Sequence, residues 1–141
     1  MKEKVLVSAC LVGENCKYNG KNNKNEKIIQ FLKDKEVFLV CPEVMGGLST
    51  PRLKSEILNN KVVNELGEDV TSFFVNGANK ALKIAKDNNI KLAILKEKSP
   101  SCGSEKIYDG NFNGTLIHGS GVFASMLLEL DIKVLSEEDF I

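Results

Sequence analysis

"LAILKEKSPSCG" runs from Leu92 to Gly103. Its first four residues are apolar without alternation, which suits a strand buried on both faces. A polar loop follows, turns at Ser99-Pro100, and delivers Cys102 beside a glycine. A cysteine in a core packs among aliphatic residues; this one sits among loop residues. Two further stretches repeat the arrangement. Val5-Leu6-Val7 leads to Ser8-Ala9-Cys10, and Val37-Phe38-Leu39-Val40 leads to Cys41-Pro42, where proline ends the ladder.

Helical spacing fills the gaps between these strands. A helix is predicted from Asn25, with Ile28, Ile29 and Leu32 on one face. A second begins at Asp69 or Thr71, repeats Phe74, Ala78, Ala81, Leu82 and Ala85, and ends at Asn88-Asn89. A third follows Gly119-Ser120-Gly121, with Val122, Phe123, Met126, Leu127 and Leu130 inward, before a final strand over Ile132 to Leu135. Lys54 to Leu58 and Lys61 to Glu65, split by Asn59-Asn60, predict a small hairpin. Ile107 to Gly114 reads as a turn-rich excursion. Apolar strands alternating with helices predict an α/β chain: a three-layer, Rossmann-like fold with a mostly parallel sheet, one domain over residues 1–141. In such sheets ligands sit beyond the carboxyl ends of the strands. The topology thus carries three thiols, distant in sequence, to one edge.

The 141 residues are 43% hydrophobic, enough for a core and too apolar for disorder. Lys+Arg and Asp+Glu are both 19, so no net field draws nucleic acid or an anionic membrane, and neither is expected as a partner. No apolar run approaches the roughly 20 residues of a bilayer span. The start shows no signal-peptide pattern, and the expectation is a cytoplasmic protein. Arg52 is the only arginine.

Several chemistries compete for the four cysteines, Cys10, Cys16, Cys41 and Cys102. A disulfide does not suit a reducing cytosol. Unrelated buried thiols do not explain the loop neighbourhoods. Structural zinc shows close pairs such as C-x-x-C, whereas the nearest spacing here is C-x5-C. A nucleophilic cysteine wants a histidine, and His118 is the only one, with an ordinary structural role as its alternative. Thiolate ligation of an iron–sulfur cluster remains, since it suits soft ligands.

"SACLVGENCKYNG" (Ser8 to Gly20), "CPEVMGGLSTPR" (Cys41 to Arg52) and "LKEKSPSCG" (Leu95 to Gly103) together resemble the signature blocks of the bacterial thiouracil desulfidase family, formerly a domain of unknown function. "IYDGNFNGT" (Ile107 to Thr115) and "GSGVFASMLLELDIKVLSEED" (Gly119 to Asp139) resemble its remaining blocks, so the likeness spans the chain. It implies a 4Fe–4S cluster on Cys10, Cys41 and Cys102, with one iron open to substrate, hydrosulfide or another anion. Cys16 lies in a matching block as an alternative or transient ligand. The implied reaction is non-redox hydrolysis of a thiocarbonyl in a 2-thiouracil or 4-thiouracil-like base. The soft sulfur meets the open iron, water activated by Glu43 attacks the carbon, and hydrosulfide leaves. The alternative is a cluster-based sulfur carrier for tRNA or metabolite thiolation; a redox sensor and a structural metal module are further rivals. Lys17, Asn19 and Lys98 depart from the family pattern, which bears on substrate preference.

Around the cluster, Glu43 is the candidate proton shuttle, against a solvated acid at a helix start. Ser99 and Ser101 are candidate catalytic hydroxyls, against turn capping. Gly46-Gly47 and the helix opening at Ser120-Gly121 are possible anion sites. Arg52 offers a donor fork to substrate or a plain surface ion pair. Tyr18 and Tyr108 offer faces for a pyrimidine or simply pack their loops.

Overall fold

The computed structural model describes residues 2–141. In chain order the elements are β1 (Lys4–Ser8), α1 (Glu26–Phe31), β2 (Glu36–Val40), α2 (Pro42–Met45), β3 (Ser55–Leu58), β4 (Lys61–Asn64), α3 (Thr71–Asp87), β5 (Leu92–Leu95), β6 (Lys106–Tyr108), β7 (Leu116–His118), α4 (Val122–Glu129) and β8 (Lys133–Ser136). Four strands form a fully parallel sheet in the order β2-β1-β5-β8.

The period of two along each strand splits the core into two layers. Val5, Val7, Leu92 and Ile94 pack against Ile28 of α1. Leu6, Ala93 and Leu95 point the other way, onto Ala78, Ala81 and Ala85 of α3 and Phe123 and Leu127 of α4. The expected three layers are therefore present. From β1 the chain moves outward to β2, then returns to the other side of β1 as β5. The order reverses between β1 and β5, and the crevice of such a sheet opens at that reversal. The Ser8 hydroxyl, at the end of β1, accepts the Lys96 backbone N–H at 3.1 Å and ties the two strand ends together.

The expectation of a buried second strand is corrected. β2 is an edge strand, and its Val37 and Leu39 remain 36% and 39% exposed. They share a face with their partners Val5 and Val7, but α1 is only six residues long and covers the central strands alone. The β3–β4 hairpin forms as predicted, with positive φ at both Asn59 and Asn60, the backbone that a two-residue type I′ turn demands. The turn-rich excursion holds a second antiparallel pair, β6–β7, whose strands of three residues are too short to announce themselves. Glu56 of β3 joins the two hairpins: its buried carboxylate accepts N–H groups from Gly110 at 3.0 Å and Phe112 at 3.1 Å.

Short α2 is seated on α3 by two glycines. A Cβ on Gly46 would overlap the Phe73 carbonyl oxygen, and a Cβ on Gly77 would overlap that of Pro42. The Gly46–Gly47 pair is therefore a packing and turning device, not the anion site that was one reading of it. Its amides are engaged inside the turn, Gly46 N–H with the Pro42 carbonyl at 2.9 Å and Gly47 N–H with that of Val44 at 3.0 Å. Gly77→Ala must push α2 off α3. Overpacking of this kind against backbone costs about 3 kcal/mol, so the melting temperature should fall by about 10 °C. A thermal scan in which Gly77→Ala melts with the wild type would show that the two helices have slack.

Candidate active site

All four thiols line one cavity of about 500 Å³ at the carboxyl edge of the sheet, together with Glu43 and Ser99. Cys10 follows β1 on a short helical turn, Ala9–Val12. Cys41 follows β2 directly and is the residue that enters α2. Cys102 follows β5 after a loop held from three sides. The Glu97 carboxylate, buried beneath it, accepts backbone N–H groups from Ser104, Glu105 and Lys106 at 2.9, 3.1 and 3.2 Å. The Ser99 hydroxyl accepts those of Ser101 and Cys102 at 3.1 and 3.0 Å. From the far side, the first N–H groups of α4 donate to loop carbonyls: Val122 to Pro100 at 2.8 Å, and Phe123 and Ala124 to Ser101 at 2.9 and 3.0 Å. The opening of α4 is thus capped by the cysteine loop, which corrects its reading as a free anion site. Those donors would otherwise lack partners; here they fix Cys102 in place.

The thiols fall into two electrostatic groups. Cys16 stands beside both Cys10 and Cys41, and those two neighbours raise its pKa far above the usual thiol range. Cys16 in turn pulls its partners down, Cys41 to about 7 and Cys10 below its ordinary value. Asn23 adds to the effect on Cys10, its side-chain amide donating to Sγ at 3.4 Å. Cys102 is the opposite case: burial pushes its pKa well up, with a smaller opposing contribution from the Ser8 hydroxyl. A buried thiol like this gives up its proton when a metal takes it.

Glu43 sits in the first turn of α2, on the cavity wall. Its Oε1 accepts Nε–H of Arg52 at 3.1 Å, with the two side chains only 17% and 7% exposed. The rest of the Arg52 fork is also engaged: Nη1 donates to the Ser49 carbonyl and Thr50 Oγ1, and Nη2 to the Cys16 carbonyl at 2.9 Å. Neither earlier reading of Arg52 holds as stated. It is no surface pair and has no free fork; it clamps the Cys16 loop to Glu43. Ser99 caps its turn through its oxygen and still faces the cavity with its hydroxyl. Ser101 is 1% exposed, does not line the cavity, and its hydroxyl has no partner among the described residues. Tyr18 and Tyr108 both line the cavity, and the ammonium groups of Lys54 and Lys17 lie 5.4 and 5.8 Å from the centre of the Tyr18 ring. His118 is exposed on β7, outside the lining.

Three contributors escaped the sequence reading. Ser8 stood at the end of an apolar strand, Asn23 among several loop asparagines, and Glu97 in the loop before Cys102, and none of them was given a role. Only Ser8 carried a signal, since a polar residue ending an apolar strand two positions before a cysteine is placed at the sheet edge.

The profile of the 2-thiouracil desulfurase family matches residues 5–139. This chain belongs to that family. The uncharacterised protein YbbK of Bacillus subtilis (strain 168) is 44% identical over 145 residues, covering 96% of either chain. The solved structure of the 4Fe–4S-dependent thiouracil desulfidase TudS superposes with a TM-score of 0.92 at 41% identity, over 98% of this chain and 93% of that one. The family resemblance read from the three cysteine blocks, the α/β fold and the desulfidase reading all stand on these matches. No helix among the described residues is long and apolar enough to cross a membrane.

Proposed function

We propose that the chain hydrolyses the thiocarbonyl of a thiouracil without redox change, using a 4Fe–4S cluster held by Cys10, Cys41 and Cys102. The observation that carries this reading is the convergence of thiols from three strand ends on one cavity that Glu43 also lines. The donor set fits such a cluster. It is thiolate-rich and free of histidine, as soft iron–sulfur ligation prefers. Among the described residues no three His, Cys, Asp or Glu side chains gather closely enough to ring a single ion. Cys10, Cys41 and Cys102 instead reach the cavity from three different strand ends, as ligands to separate irons would. When bound, the cluster supplies a Lewis-acidic iron with a position open to soft sulfur, hydrosulfide or another anion.

The protein's own residues do the rest. Tyr18 and Tyr108 offer ring faces to a pyrimidine inside the cavity. The Ser99 hydroxyl, its oxygen already anchored by two N–H groups, is free to donate to the base. Ser101 keeps a spare donor next to Cys102. Glu43, with Oε1 fixed by Arg52, takes a proton from water as the water oxygen bonds to the thiocarbonyl carbon. The carbon–sulfur bond breaks with its electron pair on sulfur, giving the oxo base and hydrosulfide; thiocarbonyl plus water thus becomes carbonyl plus hydrosulfide and a proton, with no electron left over.

Anaerobic reconstitution should give about four irons and four sulfides per chain, as a cubane requires. The loaded protein should then release many equivalents of sulfide from free 2-thiouracil or 4-thiouracil. Tight zinc with no iron uptake would sink the cluster. Sulfide release that stops at one equivalent would instead favour a sulfur carrier.

A further inference from the structure

Asn23 holds Cys10 twice. Its backbone N–H donates to the Cys10 carbonyl at 2.9 Å, and its side-chain Nδ2 donates to Cys10 Sγ at 3.4 Å, a length suited to the larger sulfur atom. The surrounding loop is built to present this amide. Asn25 N–H donates to the Leu11 carbonyl at 2.9 Å, and the Asn22 side chain donates to Asn15 Oδ1 at 2.9 Å. The loop is thereby pinned alongside the turn that carries Cys10. Cys16 is treated differently: Arg52 holds its carbonyl, and no amide donates to its sulfur among the described residues. The two cysteines of the first block face the same cavity, yet only one has a donor on its sulfur.

We infer that Asn23 is a positioning residue for the cluster: its amide singles out Cys10 as the thiolate ligand of the first block and draws electron density from that sulfur. The inference rests on the cluster proposed above. Partners outside the ligand shell orient metal ligands and set their basicity, and their loss typically weakens metal binding about 10–100-fold. Hydrogen bonds to the sulfurs also raise the reduction potential of an iron–sulfur cluster. In a centre that works as a Lewis acid, the same withdrawal leaves the irons poorer in electrons and better at polarising a thiocarbonyl. Asn23 therefore acts on the reaction through Cys10, without touching substrate.

The test compares the wild type with Asn23→Ala and Asn23→Gln after identical anaerobic reconstitution. Iron content and the midpoint potential of the cluster, followed by electron paramagnetic resonance, are the readouts. The backbone clamp survives every substitution, so only the contact to sulfur changes. Asn23→Ala should shift the potential downward, and Asn23→Gln, which keeps an amide donor, should lie nearer the wild type. Equal potentials and equal iron contents in wild type and Asn23→Ala would overturn the inference while leaving the proposed function standing. If Asn23→Ala holds too little cluster to titrate, Asn23→Gln decides. Recovery of iron by the amide supports the role, and equal loss shows that only the shape of asparagine matters and overturns it. A wild-type chain that takes up no cluster would overturn the proposed function first, and this inference with it.

Discussion

Cys10→Ala, Cys41→Ala and Cys102→Ala are each expected to lose the cluster and all measurable desulfuration, while Cys16→Ala keeps most of both. Iron per chain should fall from about four to background in the first three. The reason is geometric as well as chemical. Each of the three leaves a different strand end, so none of the three can stand in for another without moving backbone. Cys102 is the most constrained, locked by Glu97 beneath it and by the opening N–H groups of α4 behind it. Cys16 lies on the long loop after β1, beside Cys10 and Cys41, and follows no strand end directly. Iron analysis and the visible spectrum of the four variants, reconstituted side by side, decide the matter. A Cys16→Ala protein without iron, beside a Cys10→Ala protein that retains it, would transfer the first-block ligand from Cys10 to Cys16.

The strand ends that carry these thiols were legible because a buried parallel strand needs an unbroken apolar run, and three such runs stand out. Their order in the sheet was not. An edge strand such as β2 and a central strand such as β5 present similar runs, and only tertiary cover distinguishes Val37 from Ala93. The small hairpin was written in Asn59-Asn60, since that pair tolerates positive φ. The β6–β7 pair was not, because three residues are too few to show alternation. Within the site, residue type pointed to the thiols, and the family resemblance singled out Glu43 from the other loop acids. The partners that hold them were hidden. Arg52 and Cys16 are thirty-six positions apart and Ser8 and Lys96 eighty-eight, and nothing local marks such contacts. The two misread anion sites share one cause. Glycines and helix starts advertise free N–H groups, but at Gly46-Gly47 and at α4 the chain's own carbonyls had already taken them.

Glu43→Gln is expected to keep the cluster and its spectrum and to lose about 10²–10⁴-fold in the rate of sulfide release, the usual worth of a positioned general base. Glu43 is not among the three thiolates, so its loss leaves the ligand set intact. Glutamine keeps the length and shape of the side chain, and its amide oxygen can still accept the Arg52 Nε–H, so the clamp on the Cys16 loop survives through Nη2. What disappears is the capacity to take a proton. Glu43→Ala should lose the same factor and in addition leave the Arg52 charge, 7% exposed, without its carboxylate partner. Removing one member of a buried pair is destabilising, so the alanine variant should also melt earlier than the glutamine one. The comparison separates the two jobs of this residue. Equal melting with unequal rates would assign Glu43 to chemistry alone. A glutamine variant that releases sulfide at the wild-type rate would make Glu43 a structural partner of Arg52, and the proton would then have to leave through the Ser99 hydroxyl or through water, with the cavity otherwise unchanged.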